Sequence, residues 1–186
     1  KAGERIALGK MMNAGQICLA PDYLLVPSDQ EQDMIEAVKA GVTAQYPKLL
    51  HNDDYTSVVN GRNYERLQGY LDDAREKGAE LIEVNPANEE FATSNGNKMP
   101  LTIVRNVTDD MKVMQEEIFG PILPVMTYSS MDEAIDYVNA HDRPLGLYYF
   151  GSDKTEEQSV LTRTVSGGVT VNDVVFHNAM EDLPFG

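Results

Sequence analysis

Ile122-Leu-Pro-Val-Met-Thr-Tyr128-Ser-Ser130-Met-Asp-Glu133-Ala-Ile-Asp-Tyr-Val138 decides the fold class of this chain. Its first seven residues form a short apolar run with the length of a strand. Ser130-Met-Asp-Glu133 then has the spacing of a capping box, in which a Ser and a Glu three residues on satisfy free amides at a helix start. Met131, Ala134, Ile135 and Val138 follow at helical spacing, so the strand leads into an amphipathic helix.

The same grammar recurs on both sides. Ser28-Asp-Gln-Glu31 reads as a second capping box, followed by Met34, Ile35, Val38 and Val42 on one helical stripe. Leu67, Tyr70, Leu71 and Ala74 mark another helix, ending near Gly78, a residue suited to the left-handed conformation that closes helices. A weaker helical signal covers Lys154 to Val165. Strands are expected at Tyr23–Val26, Glu80–Val84, Leu101–Val104, Leu145–Phe150 and Gly168–Val171. Strands alternating with helices imply crossover units, so the expected class is α/β, with a mainly parallel sheet and helices on both faces. The polar stretches His51–Gly61 and Glu83–Asn97 read as surface loops.

With 186 residues the chain has the length of one domain, and 42% hydrophobic against 24% charged residues is the balance of a folded globule. Fifteen Lys and Arg against thirty Asp and Glu give a net charge of −15. Such a field repels nucleic acid and anionic membrane surfaces, so neither is an expected partner. No apolar run approaches the ~20 residues of a membrane helix. The single cysteine, Cys18, excludes an internal disulfide and points to a reducing cytoplasm. The chain opens on Lys1 and closes on Leu183-Pro184-Phe185-Gly186, in what reads as the middle of a Gly-rich turn, so a longer polypeptide is expected.

Three segments hold residues suited to chemistry. Cys18 lies in Asn13-Ala-Gly-Gln-Ile-Cys18, on a helix-to-strand loop, where Gly15 permits a tight turn and backbone amides are available to an oxyanion. Taken alone, a lone cysteine is read first as a small buried side chain. Glu116-Glu117-Ile118-Phe119-Gly120-Pro121 stands at the mouth of a strand, where α/β proteins bind ligands. A carboxylate accepts hydrogen bonds only, so Glu117 suits paired ribose hydroxyls, with Phe119 as an apolar face beside it. Acidic pairs are frequent in this chain, and composition alone reads this one as solvated surface. The third segment, Ser166 to Gly186, is a strand running into a long loop whose Asn172, Val175, His177 and Phe185 are candidates for a pocket wall. His51, His141 and His177 are too scattered for a metal-ligand pattern, so no metal site is expected. There is no G-x-G-x-x-G or Walker loop to cradle a nucleotide phosphate.

Together the three segments resemble the aldehyde dehydrogenase superfamily. Gly15-Gln16-Ile17-Cys18 resembles its nucleophile signature, Glu116 to Pro121 its cofactor signature, and Leu183-Pro184-Phe185-Gly186 the start of its closing Gly-rich motif. Ala20-Pro21-Asp22-Tyr23, Val113 to Pro124, Pro144-Leu145 with Leu147-Tyr148, and Ser166-Gly-Gly-Val-Thr170 with Asn172-Asp173-Val174 look like the class 3 and coniferyl aldehyde dehydrogenase branch. Gly146 stands where that branch is expected to carry alanine. The resemblance covers nearly the whole chain. It implies a single catalytic domain over 1–186, truncated at both ends, that oxidises an aldehyde to a carboxylic acid through a thioester on Cys18. It also implies NAD or NADP as cofactor, with Glu117 on the nicotinamide ribose and Phe119 beside it, and a homodimer as the assembly. An aromatic aldehyde such as coniferyl aldehyde is the expected substrate, a long-chain fatty aldehyde the alternative within the class. The alternative outside it is a non-catalytic interaction module with a structural cysteine. The family's general base lies in an E-L-G-G-K motif before the nucleophile, and no such motif precedes Cys18 in this sequence. Its Rossmann-type cofactor domain, an oxyanion-hole Asn and a dimerisation strand are also absent. Residues 1–186 alone are therefore expected to turn over no aldehyde.

Overall fold

A computed structural model describes residues 1–93 and 96–186. Along the chain run α1 (Ala2–Met11), β1 (Leu24–Pro27), α2 (Glu31–Gln45), α3 (Gly61–Glu76), β2 (Glu80–Val84), β3 (Leu101–Arg105), α4 (Lys112–Gln115), β4 (Ile122–Tyr128), α5 (Met131–Ala140), β5 (Gly146–Tyr149), α6 (Lys154–Arg163) and β6 (Gly168–Val171). The α/β class expected from the alternation is what forms.

Strands β1 to β4 make one sheet in the order β1-β4-β3-β2, while β5 and β6 make a separate parallel pair. β4 sits between β1 and β3, parallel to both, and β2 runs antiparallel to β3. The sheet is thus mainly parallel with one reversed edge. A parallel neighbour needs a crossover of a dozen or more residues, usually a helix. The chain between β2 and β3 holds only the single 3-10 turn Phe91–Thr93 among its described residues, and it doubles back instead. Two residues of the expected Glu83–Asn97 loop, 94 and 95, lie outside the described residues.

Alternation along the central strands feeds two cores. Ile103, Leu123 and Val125 pack with Ile6, Ala7, Met11, Ile35, Val38 and Val42 of α1 and α2 on one face. Val104 and Ile122 pack with Leu67, Leu71 and Ala74 of α3, and with Met111, Val113 and Ile118, on the other. A third, smaller cluster joins Ile135 of α5, Tyr149 of β5 and Val160 of α6.

The Ser130 cap forms as read: its hydroxyl accepts the Glu133 N–H, and Glu133 reaches back to the Ser129 N–H. The Ser28 box does not form. Ser28 lies in a 3-10 turn, Gln30 holds the cap position, and the Ser28 hydroxyl donates to the Tyr128 carbonyl at 3.0 Å. That bond ties the end of β1 to the end of β4, so the side chain is no longer available to α2. Gly78 takes a φ of +94° after α3, as the helix stop requires. The stretch 51–61 is not simply a surface loop, since Tyr55 is buried and its hydroxyl donates to the Met99 carbonyl at 2.8 Å.

Candidate functional site

Cys18 sits in the connection between α1 and β1, built by an unusual backbone. Asn13, Ala14 and Gly15 all have positive φ, at 51°, 53° and 72°. Three such residues in succession swing the chain out of the helix, and Gln16 braces the result. Its amide donates to the carbonyls of Asn13 and Ser57, and its oxygen accepts the Val59 N–H. Gln16 is buried while Cys18, two residues on, is exposed. The Cys18 N–H makes no hydrogen bond among the described residues. An exposed thiol is not the small buried side chain that a lone cysteine suggests first.

The second segment docks against the first. Ile118 and Gly120 are buried while Glu117 and Phe119 face outward. Phe119 is 41% exposed and held at a φ of +47°, a conformation that costs a bulky side chain about 1–2 kcal/mol. Arg66 of α3 donates to the carbonyls of Glu117 and Ile118, the latter at 2.8 Å. The Ile118 N–H donates to Asp22 Oδ1 at 3.2 Å, across to the segment that follows Cys18.

Cys18, Glu117, Phe119 and Asn172 line one cleft of about 1490 Å³, together with Asp22 and Tyr148. Val175, His177 and Phe185 do not line it. Asn172 is also committed elsewhere: at a φ of 59°, its side chain accepts the Gly151 N–H and donates to the Gly151 carbonyl, locking the end of β5. The His177 ring is hydrogen-bonded to Thr170 Oγ1 at 2.8 Å and stands over Gly168. Val175 adopts a φ of +63° and Phe185 is exposed. Behind Val175, Val174 is buried against Gly9 of α1 and anchors this loop. No group of three or more His, Cys, Asp or Glu side chains suited to a metal ion occurs among the described residues, and no described helix is long and apolar enough to cross a membrane.

Three further residues pack around these segments without having been given a role in the sequence reading. The Tyr148 hydroxyl donates to the Leu19 carbonyl at 2.7 Å, clamping the residue after the cysteine. Burial pushes its pKa up to about 12, against a pull down from the Val175 amide and with a further push from Cys18. Lys10, at the end of α1, is only 1% exposed. Burial lowers its pKa to about 8, and Asp22 resists that fall. The Asp22 carboxyl is itself raised by burial, opposed by Lys10 and by the Ile118 amide. Lys10 was legible in principle, since it shares a helical face with the buried Ile6 and Ala7. Gly146 matters to packing: a Cβ there would lie 3.0 Å from Leu19 Cδ2 and 3.2 Å from Tyr148 Oη.

The chain belongs to the aldehyde dehydrogenase family, whose model matches residues 1–186. Within that family it is 57% identical over 185 residues to a probable coniferyl aldehyde dehydrogenase of Caulobacter vibrioides, covering 100% of this chain and 38% of that protein. It is 52% identical to the coniferyl aldehyde dehydrogenase of a Pseudomonas species, covering 98% and 38%. The solved structure of Staphylococcus aureus AldH in a substrate-bound state superposes with a TM-score of 0.88 at 38% identity, covering 100% of this chain and 39% of that one. The chain thus spans about two-fifths of the length of the relatives it matches.

Proposed function

We propose that the chain is the nucleophile-bearing domain of an NAD(P)-dependent dehydrogenase that oxidises an aromatic aldehyde of the coniferyl type to its acid. The observation that carries this reading is the single cleft shared by an exposed Cys18, Glu117 and Phe119. Similarity to coniferyl aldehyde dehydrogenases supports the substrate class.

In this reading Cys18 Sγ, as the thiolate, adds to the aldehyde carbonyl carbon, and the carbonyl electron pair moves onto oxygen. The unpartnered Cys18 N–H is a donor for that oxyanion, fixed in place by the Gln16 brace and the Tyr148 clamp. Glu117, an exposed carboxylate with no side-chain partner among the described residues, accepts from the ribose hydroxyls, and Phe119 offers its face to the same end of the cofactor. The residues present therefore fit a nicotinamide nucleotide, which when bound supplies the hydride acceptor. Departure of hydride leaves a thioester on Cys18. Water cleaves it, releasing the carboxylic acid and returning the thiol. The reading includes a cytoplasmic homodimer, and no turnover by residues 1–186 alone.

The test is formation of reduced nucleotide by the full-length enzyme with coniferyl aldehyde and with a long alkanal, each with NAD and with NADP. Coniferyl aldehyde is expected to give the higher kcat/KM, and Cys18→Ser to lower kcat at least about a thousandfold. A Cys18→Ser enzyme of undiminished rate overturns the mechanism. Preference for the alkanal overturns the substrate class alone.

A further inference from the structure

Glu117 and Phe119 belong to no helix or strand, and tertiary bonds hold their segment on both sides. Arg66 grips two of its carbonyls from the α3 side. On the Cys18 side Gly120 packs against Gly15, and the one hydrogen bond among the described residues runs from the N–H of the fully buried Ile118 to Asp22 Oδ1 at 3.2 Å. Asp22 follows Cys18 by four residues and lines the same cleft. The positive charge that acts on it is Lys10, buried at the end of α1, which makes no ion pair with Asp22 within 4 Å among the described residues. A cation removed from water is costly unless a nearby negative charge offsets it, and a charge-assisted acceptor is stronger and more directional than a neutral one.

Resting on the cofactor reading of Glu117 and Phe119, we propose that Asp22 is a positioning residue. It holds the cofactor segment at a set reach from the nucleophile through the Ile118 amide, with Lys10 as its buried countercharge. The pair couples the two signatures of the site: where the nucleophile loop goes, the cofactor side chains follow. The Ile118 side chain, packed in the α3 core, keeps the amide aimed at Asp22.

The test uses the full-length enzyme with NAD and NADP. Asp22→Ala removes both acceptor and charge, and is expected to raise the cofactor KM about tenfold or more, since small misplacements of reacting groups cost up to about a hundredfold. Alkylation of Cys18 by iodoacetamide without cofactor is expected to stay within about twofold of wild type, which a general loosening of the fold would not allow. Asp22→Asn keeps an oxygen for Ile118 but leaves Lys10 uncompensated, and is expected to raise the cofactor KM by a smaller factor. It decides the matter if Asp22→Ala does not fold. A wild-type cofactor KM in the folded variant overturns the proposal, as does an alkylation rate that changes in step with KM. Glu117→Gln, measured in parallel, separates the two readings. If its cofactor KM is also unchanged, the cofactor assignment itself fails. If it rises while Asp22→Ala has no effect, only the positioning role fails.

Discussion

Gly15 and Gly120 meet backbone to backbone: a Cβ on Gly15 would lie 2.4 Å from the Gly120 carbonyl oxygen. Gly15 also needs its φ of +72°. Gly15→Ala is therefore expected to destabilise the protein by about 2–5 kcal/mol, the sum of left-handed strain and a clash with rigid backbone. Urea unfolding checks the loss. Because the clash pushes the nucleophile loop away from the Glu117 segment, kcat should fall even in the fraction that remains folded.

Lys10 is expected to make stability rise with pH above about 8. Its folded pKa of about 8 lies below the ordinary lysine value of 10.5. The unfolded chain then binds more protons between those values, so stability climbs from pH 8 towards pH 10, by on the order of 3 kcal/mol for a shift of this size. Below pH 8 the penalty is present in full. Lys10→Met is expected to flatten the climb, as read from thermal midpoints across that range, while the Asp22 carboxyl, stripped of its countercharge, rises further.

Glu89 works in the opposite sense. Its carboxylate accepts the N–H groups of Leu49, Leu50 and His51, at 2.6, 2.9 and 2.9 Å, while Lys98 donates to the Leu50 and Asn52 carbonyls of the same turn. Burial pushes the carboxyl up, but the three amides outweigh it and the net shift is downward. A group depressed in the folded state contributes stability above its unfolded pKa and loses it as pH falls through the folded one. Glu89→Gln is expected to lower the urea midpoint most above about pH 5, with the gap to wild type closing by about pH 3. An equal gap at both ends of that range contradicts the prediction.

Periodicity was enough to reveal α5 and its Ser130 cap, because spacing along one segment is local information. Ser28 carries the same letters and does not cap, because its hydroxyl finds Tyr128 across the sheet, a partner that no local pattern displays. The reversal of β2 was equally hidden, since it depends on a connection that does without a helix. At the site, Cys18, Glu117 and Phe119 were legible through a resemblance of motifs rather than through their own chemistry. Val175, His177 and Phe185 are not among the residues lining the cleft, although the His177 ring and the Val175 amide adjoin Tyr148, which does line it. Lys10 drew no reading and Asp22 none beyond its motif, because charged letters read as solvated surface. Lys10 is buried and Asp22 half-buried between the packed signature segments.

The contact between Gly15 and Gly120 also bears on how the molecule comes into being. The two residues are distant along the chain, and the loop that carries Cys18 has its final shape only once the later segment lies against it. Chains emerge from the ribosome amino end first, and distant contacts are the last to be made. The loop that carries Cys18 is therefore synthesised before the segment that completes its shape, and its final geometry arrives only when the two meet.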